Sequence, residues 1–198
     1  SKSRRSSTSG KARPISSPLG LNDCDVPVDG SIAIVVSHRD HAPDCPSAPV
    51  GIEAIGGAYG TGGWFHRADF PKMASTEAAA QMWSRTDLTP GDVDVAELYD
   101  GFTFNCLSWL EALGFCGIGE AKDFLDGGHN IARDGVIPVN THGGQLSHGR
   151  THGMGLIHEA VTQLRGEAGE RQVPNAKVAV VSSGGLTPSG VMLLRSDS

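Results

Sequence analysis

Short β-branched runs alternate with helix-period stretches along this chain, and that alternation restricts the fold more than any other feature. Ser31-Ile32-Ala33-Ile34-Val35-Val36-Ser37 is a continuous apolar run and predicts a buried strand. Val50 to Ile55 starts a second. Ser75 to Arg85 predicts a helix, with Thr76 and Glu77 near its start. Thr89-Pro90-Gly91-Asp92 predicts a turn, and Val93 to Leu98 a strand interrupted by Asp94 and Glu97. Phe102 to Leu113 predicts a helix with Cys106, Leu107, Leu110 and Leu113 on one face. Val136 to Val139 predicts a short strand, and Leu156 to Leu164 an amphipathic helix. Val178 to Val181 and Val191 to Leu194 predict two last strands flanking Ser182-Ser183-Gly184-Gly185-Leu186-Thr187-Pro188. Strands alternating with helices point to an α/β layered fold, a mixed sheet of about five strands with helices on its faces.

Glycine marks where such a fold does its work. The 27 glycines cluster as Gly56-Gly57, Gly62-Gly63, Gly127-Gly128, Gly143-Gly144 and Gly184-Gly185. Paired glycines allow tight turns and close backbone approach, as in a site built from loops. A net charge of −6 argues against a general nucleic-acid binder. No apolar run is long enough to span a membrane, and the first residues lack the apolar core of a secretory signal. Cys24, Cys45, Cys106 and Cys116 form no CxxC pair, which predicts reduced thiols and a cytoplasmic protein. Residues 1–13 hold five of the 16 basic side chains and almost nothing apolar. They predict a mobile tail or loop remnant, or an arm attracting a phosphate.

Three segments carry chemistry. Leu21-Asn22-Asp23-Cys24-Asp25-Val26-Pro27-Val28-Asp29-Gly30 precedes the first apolar run. Glu97-Leu98-Tyr99-Asp100-Gly101-Phe102 follows a strand. Asn140-Thr141-His142-Gly143-Gly144 continues through Gly149-Arg150-Thr151 into a helix. In this order, and with Ser182-Ser183-Gly184-Gly185 near the end, they resemble the thiolase superfamily, especially its sterol-carrier/lipid-transfer branch. The resemblance implies a thiolase-like layered fold. Residues 14–47 would close an N-terminal half and residues 48–198 would form the C-terminal half-domain of a longer chain. It also implies an acyl-CoA thioester substrate, no cofactor beyond the coenzyme A of that substrate, and a homodimer. In aldolase members of the branch it implies a small OB-fold/zinc-ribbon (DUF35) partner.

The resemblance also shows what is missing. Where thiolases carry a cysteine and a histidine for proton transfer, this chain carries Ser182 and Arg150. A serine hydroxyl ionises far above neutrality, and a guanidinium does not release its proton in proteins. Thiolase acyl transfer is therefore not the chemistry of these residues. Tyr99 stands where thiolases have an asparagine, and the resemblance to the aldolases implies a retro-aldol lyase. Tyr99 would then serve as acid or base, with Arg150 favouring its phenolate. The catalytic candidates are Tyr99, Arg150, His148 and Asp100. The substrate-binding candidates are Gly143, Gly144, His152, Ser182 and Gly184.

Plainer readings stand beside each. Tyr99 also fits a core tyrosine with a satisfied hydroxyl, Asp100 a loop anchor, Arg150 half of an ion pair, and Ser182 turn chemistry. His142, His148, His152 and His158 sit among glycines that break helical ligand spacing, and nothing completes a metal site. Trp64-Phe65-His66 reads as a cover for an acyl tunnel or as loop packing. Two other functions remain open: a non-catalytic lipid or acyl-CoA carrier or scaffold, and an acyltransferase whose nucleophile lies in a further N-terminal half.

Overall fold

The structure is a computed structural model, and it describes residues 12–60 and 66–196. Residues 1–11 of the basic stretch, and Trp64 and Phe65, lie outside the described residues. The described chain opens with a small hairpin, β1 (Pro14–Ser16) and β2 (Leu19–Gly20). The main sheet holds β3 (Val50–Ala58), β4 (Val95–Glu97), β5 (Val178–Gly184) and β6 (Ser189–Ser196). Its order is β3-β6-β5-β4: β6 runs antiparallel to both neighbours, and β4 pairs parallel with β5. The helices are α1 (Ala74–Trp83), α2 (Thr103–Ala112), α3 (Ala121–Phe124), α4 (Gly144–Ser147) and α5 (Met154–Leu164).

Period-two alternation in the strands decides which residue faces which helix layer. In β5, Val180 enters the core that holds Ala78, Met82, Trp109 and Leu110 of α1 and α2. Its neighbours Ala179 and Val181 enter the opposite core, with Leu156, Ala160 and Leu164 of α5. A strand buried on both faces reads as an unbroken apolar run, which is why Val178 to Val181 shows no polar interruption. β4 behaves alike. Ala96 and Leu98 face α1 and α2, while Val95 faces α5. Glu97, two residues after Val95, is thereby turned toward α5.

Two sequence expectations are corrected. The Ser31–Ser37 run forms no strand, and Ile34, Val35 and Val36 are exposed, Val35 at 93%. β-branched residues favour extended backbone, but a strand also needs a neighbour to take its backbone bonds. No described strand lies beside this run. Val136 to Val139 is likewise no full strand: Val139 makes one parallel bridge to Ala96 at the β4 edge. Pro138 has no N–H to extend that pairing, although its carbonyl accepts from Ala96 N–H at 2.9 Å. Among the described residues the mixed sheet thus has four strands, and a single bridge marks the expected fifth position.

Candidate active site

The loop after β4 and the loop between Asn140 and Gly153 meet at one end of the sheet. Asn140 makes the junction. Its side-chain Oδ1 accepts from Leu98 N–H at 2.7 Å, and its Nδ2 donates to Leu98 carbonyl at 2.9 Å. Asp100 makes the second link, accepting from Gln145 N–H at 2.8 Å and Leu146 N–H at 3.4 Å. Burial pushes the Asp100 carboxyl up, against the backbone hydrogen bonds that favour its charge. Gly144 has φ +61°, and a Cβ there would lie 2.1 Å from Asp100 Oδ2. A side chain at this position would break the contact, so the glycine is needed both for its backbone angle and for its bareness. Gly143, at φ 104°, is the residue preceding α4.

A third segment laces these loops from outside. Asp25 N–H donates to Gly101 carbonyl, Val26 N–H to Gln145 carbonyl, and Arg150 N–H to Val26 carbonyl. The Thr103 hydroxyl donates to Asp23 at 2.9 Å. The Leu21–Gly30 motif is therefore structural glue across the two loops.

Tyr99 lies half-buried between them. Its N–H donates to Ser182 Oγ at 2.9 Å, and its ring packs over Gly101 and Gly153. Its hydroxyl has no hydrogen-bond partner among the described residues. A fully buried tyrosine would have its hydroxyl satisfied within the protein, whereas the half-buried Tyr99 hydroxyl is open to a partner from outside. The His152 ring sits 6.3 Å from the Tyr99 ring, centroid to centroid. Arg150 Nη2 reaches His152 Nε2 at 2.6 Å, and its Nε faces Asp25 Oδ2 at 3.3 Å. A guanidinium only donates, so His152 Nε2 accepts and the ring carries its proton on Nδ1. No hydrogen bond joins Arg150 to Tyr99; its guanidinium meets His152, whose ring lies near the Tyr99 ring.

The other candidates divide by position. Ser182 is buried, with its hydroxyl spent on the Tyr99 backbone, so it holds Tyr99 in place. Ser183 points the other way, as alternation along β5 requires, and its Oγ lies 3.1 Å from where a Gly153 Cβ would be. It is exposed, on the Gly153 side of the strand, where the Tyr99 ring also packs. Gly184 ends β5 at φ +69°, and its carbonyl accepts from Trp109 Nε1 at 3.1 Å. His148 is exposed and packs edge-on against His142. Among the described residues no group of three His, Cys, Asp or Glu side chains is arranged for a metal ion. No described helix is long and apolar enough to cross a membrane.

These loops sit on a sheet and helix order shared with known proteins. The family described as Thiolase C-terminal domain-like matches residues 56–194. The chain belongs to this family. Among its relatives is the 17-hydroxy-3-oxo-4-pregnene-20-carboxyl-CoA lyase of Mycobacterium tuberculosis, 41% identical over 189 residues, covering 92% of this chain and 48% of the relative. The steroid side-chain-cleaving aldolase of Thermomonospora curvata is 38% identical over 191 residues, again 92% of this chain and 48% of the relative. The solved structure of an Ltp2-ChsH2(DUF35) aldolase superposes with a TM-score of 0.89 at 35% identity, over 95% of this chain and 50% of that one. The fold is thus the thiolase-like mixed sheet with helices that the motifs implied. The chain spans about half the length of the curated relatives it matches.

Proposed function

We propose that this thiolase-like chain is part of a carbon–carbon lyase that cleaves a β-hydroxyacyl-CoA by a retro-aldol step. The substrate class is a steroid side-chain thioester. The observation that carries the proposal is Tyr99. Its hydroxyl is unpartnered among the described residues, its backbone is held by Ser182, and it stands beside His152 and Arg150. In the reaction a base takes the β-hydroxyl proton and the Cα–Cβ bond breaks. The β-carbon leaves as a carbonyl compound, and the remaining thioester enolate takes a proton at Cα. Donors near the thioester oxygen would stabilise the enolate. The names of the relatives support the lyase reading, and that of the solved aldolase supports a DUF35 partner. A homodimer belongs to the same proposal.

The test is an assay of the full-length protein with a β-hydroxyacyl-CoA thioester, with and without a DUF35 partner. Carbonyl product and shortened acyl-CoA should form in equal amounts. Tight thioester binding without turnover in either condition would make the protein a carrier. Transfer of the acyl group to an added acceptor thiol would make it an acyltransferase.

A further inference from the structure

The carboxyl of Glu97 is completely buried. Its Oε1 accepts from Thr141 N–H at 3.1 Å and lies 2.8 Å from the Thr141 hydroxyl. Its Oε2 faces His142 Nδ1 at 3.2 Å, a charge contact without hydrogen-bond geometry, and neither atom has a hydrogen-bond partner among the described residues. A buried polar atom left alone costs free energy, so two that find only each other form a pair.

The surroundings show how much charge this pair must handle. Glu159 of α5 lies 2.7 Å from the same Thr141 hydroxyl, which also receives a hydrogen bond from Gln163 Nε2 at 3.0 Å. One hydroxyl hydrogen cannot serve two carboxylates, so the cluster needs a further proton. Arg171 neutralises Glu159 through contacts of 3.2 and 2.9 Å. That leaves His142 as the partner for Glu97. Asp100 adds negative charge near His142 from the loop after β4, and Cys106 of α2 stays a neutral thiol, pushed up to about 12 chiefly by burial. His148 of the α4 end covers the His142 ring edge-on, with centroids 5.1 Å apart. Burial pushes Glu97 up, against the attraction of the adjacent His142 and the Thr141 hydrogen bonds. Burial pulls His142 down, but the Glu97 contact and the charges of Glu97, Glu159 and Asp100 outweigh it and raise the imidazole. Both directions describe one event: the pair keeps its proton to higher pH than a free carboxyl and a free imidazole would.

We propose that His142 is a further working residue of this site and Glu97 its positioning residue: the buried carboxyl fixes Nδ1 and leaves Nε2 to exchange a proton beside α5. Nε2 faces Gly155, 3.7 Å from where a Cβ would be, and the His142 side chain keeps a 9% opening to the surface. The use made of the proton rests on the lyase reading; the pair itself does not. Retro-aldol cleavage removes one proton from the hydroxyl and returns one to Cα, so a group that stores it between the half-steps leaves no net change. His142 Nε2 takes that proton, the imidazolium rests against the Glu97 carboxylate, and the same proton goes back to the enolate carbon.

The test is a nitrogen-15 histidine NMR titration of the full-length protein, its Glu97→Gln variant and its His142→Asn variant, the last to assign the signal. The wild-type imidazole should carry its proton on Nδ1 while neutral. In Glu97→Gln the His142 midpoint should fall by about one pH unit or more, because one opposite charge within contact distance has gone. An unchanged midpoint overturns the pairing, and it does so without any turnover being measured. The second arm is cleavage. His142→Asn keeps a donor toward Glu97 but has no Nε2; folded with the wild-type melting temperature, it should lose roughly tenfold or more of kcat. In Glu97→Gln the acid limb of the kcat/KM profile should move to lower pH. Full cleavage by a folded His142→Asn overturns the proton role. A wild type that cleaves no thioester, with the titration as expected, counts against the lyase reading alone.

Discussion

Replacing Asn140 by alanine should cost more than any substitution among the exposed loop residues. Its side chain makes two hydrogen bonds to the backbone of Leu98, which is fully buried. Alanine leaves both the Leu98 N–H and its carbonyl without a partner. Each orphaned buried group costs about 1–3 kcal/mol. Asn140 also sits at φ +49°, a left-handed angle that asparagine tolerates better than alanine, worth about 1 kcal/mol. The sum is about 3–7 kcal/mol, or a fall in Tm of roughly 10–20 °C for a unit of this size. Urea and thermal unfolding of the full-length protein measure it. Two controls separate the terms. Asn140→Gly removes the backbone strain and should recover about 1 kcal/mol. Asn140→Asp keeps the acceptor for Leu98 N–H but places an oxygen against the Leu98 carbonyl, so it should recover little. An alanine variant within 1 kcal/mol of wild type would show that the junction is not held by this side chain.

Further outcomes follow from the same geometry. Tyr99→Phe should lower kcat by roughly 10² or more with little change in substrate binding, measured by steady-state cleavage, since the packing of the ring is kept. Ser182→Ala should cost about 1–2 kcal/mol of stability by orphaning the Tyr99 N–H, with a smaller loss of kcat; a larger loss than Tyr99→Phe would reverse the two roles. Glu159 is held below its ordinary value of 4.5, because the Arg171, Thr141 and Gln163 hydrogen bonds outweigh its burial. Its depressed value means a stability contribution present above pH 4.5 and lost as pH falls through the folded value. The melting gap between wild type and Glu159→Gln should therefore be widest near neutrality and close in acid. Light scattering of the full-length protein should give at least a dimer mass, and a monomer across micromolar concentrations would remove the dimer.

How far the sequence reached depended on whether its signal was local. Helices α1, α2 and α5 and strands β5 and β6 were legible because each buries a face whose period appears within a few residues. Tyr99 and the Asn140 to Gly153 loop were legible because short motifs carry them. The partners of these residues were not. Asp25 meets Arg150, and Ser182 meets the Tyr99 backbone, across chain separations that no window spans. Alternation in a strand puts Ser182 and Ser183 on opposite faces, but β5 is apolar on both, so only the structure shows that Ser182 is buried and Ser183 exposed.

The same alternation explains the most consequential residue that the motif left unassigned. Glu97 stands in an otherwise apolar strand, and a carboxylate there cannot face the α5 core without a partner. The strand period puts Glu97 on that face, and the Asn140 junction brings His142 beside it, because His142 lies on the loop that Asn140 pins to Leu98. The three residues Asn140, Thr141 and His142 thus act in series: the first fixes the loop, the second hydrogen-bonds the carboxyl, and the third takes its charge. Loosening the first should therefore disturb the last. In Asn140→Gly, the less destabilised of the two non-polar replacements, the His142 NMR midpoint should move toward that of Glu97→Gln. A midpoint that stays at the wild-type value while Tm falls would show that Glu97 and His142 hold each other without help from the junction.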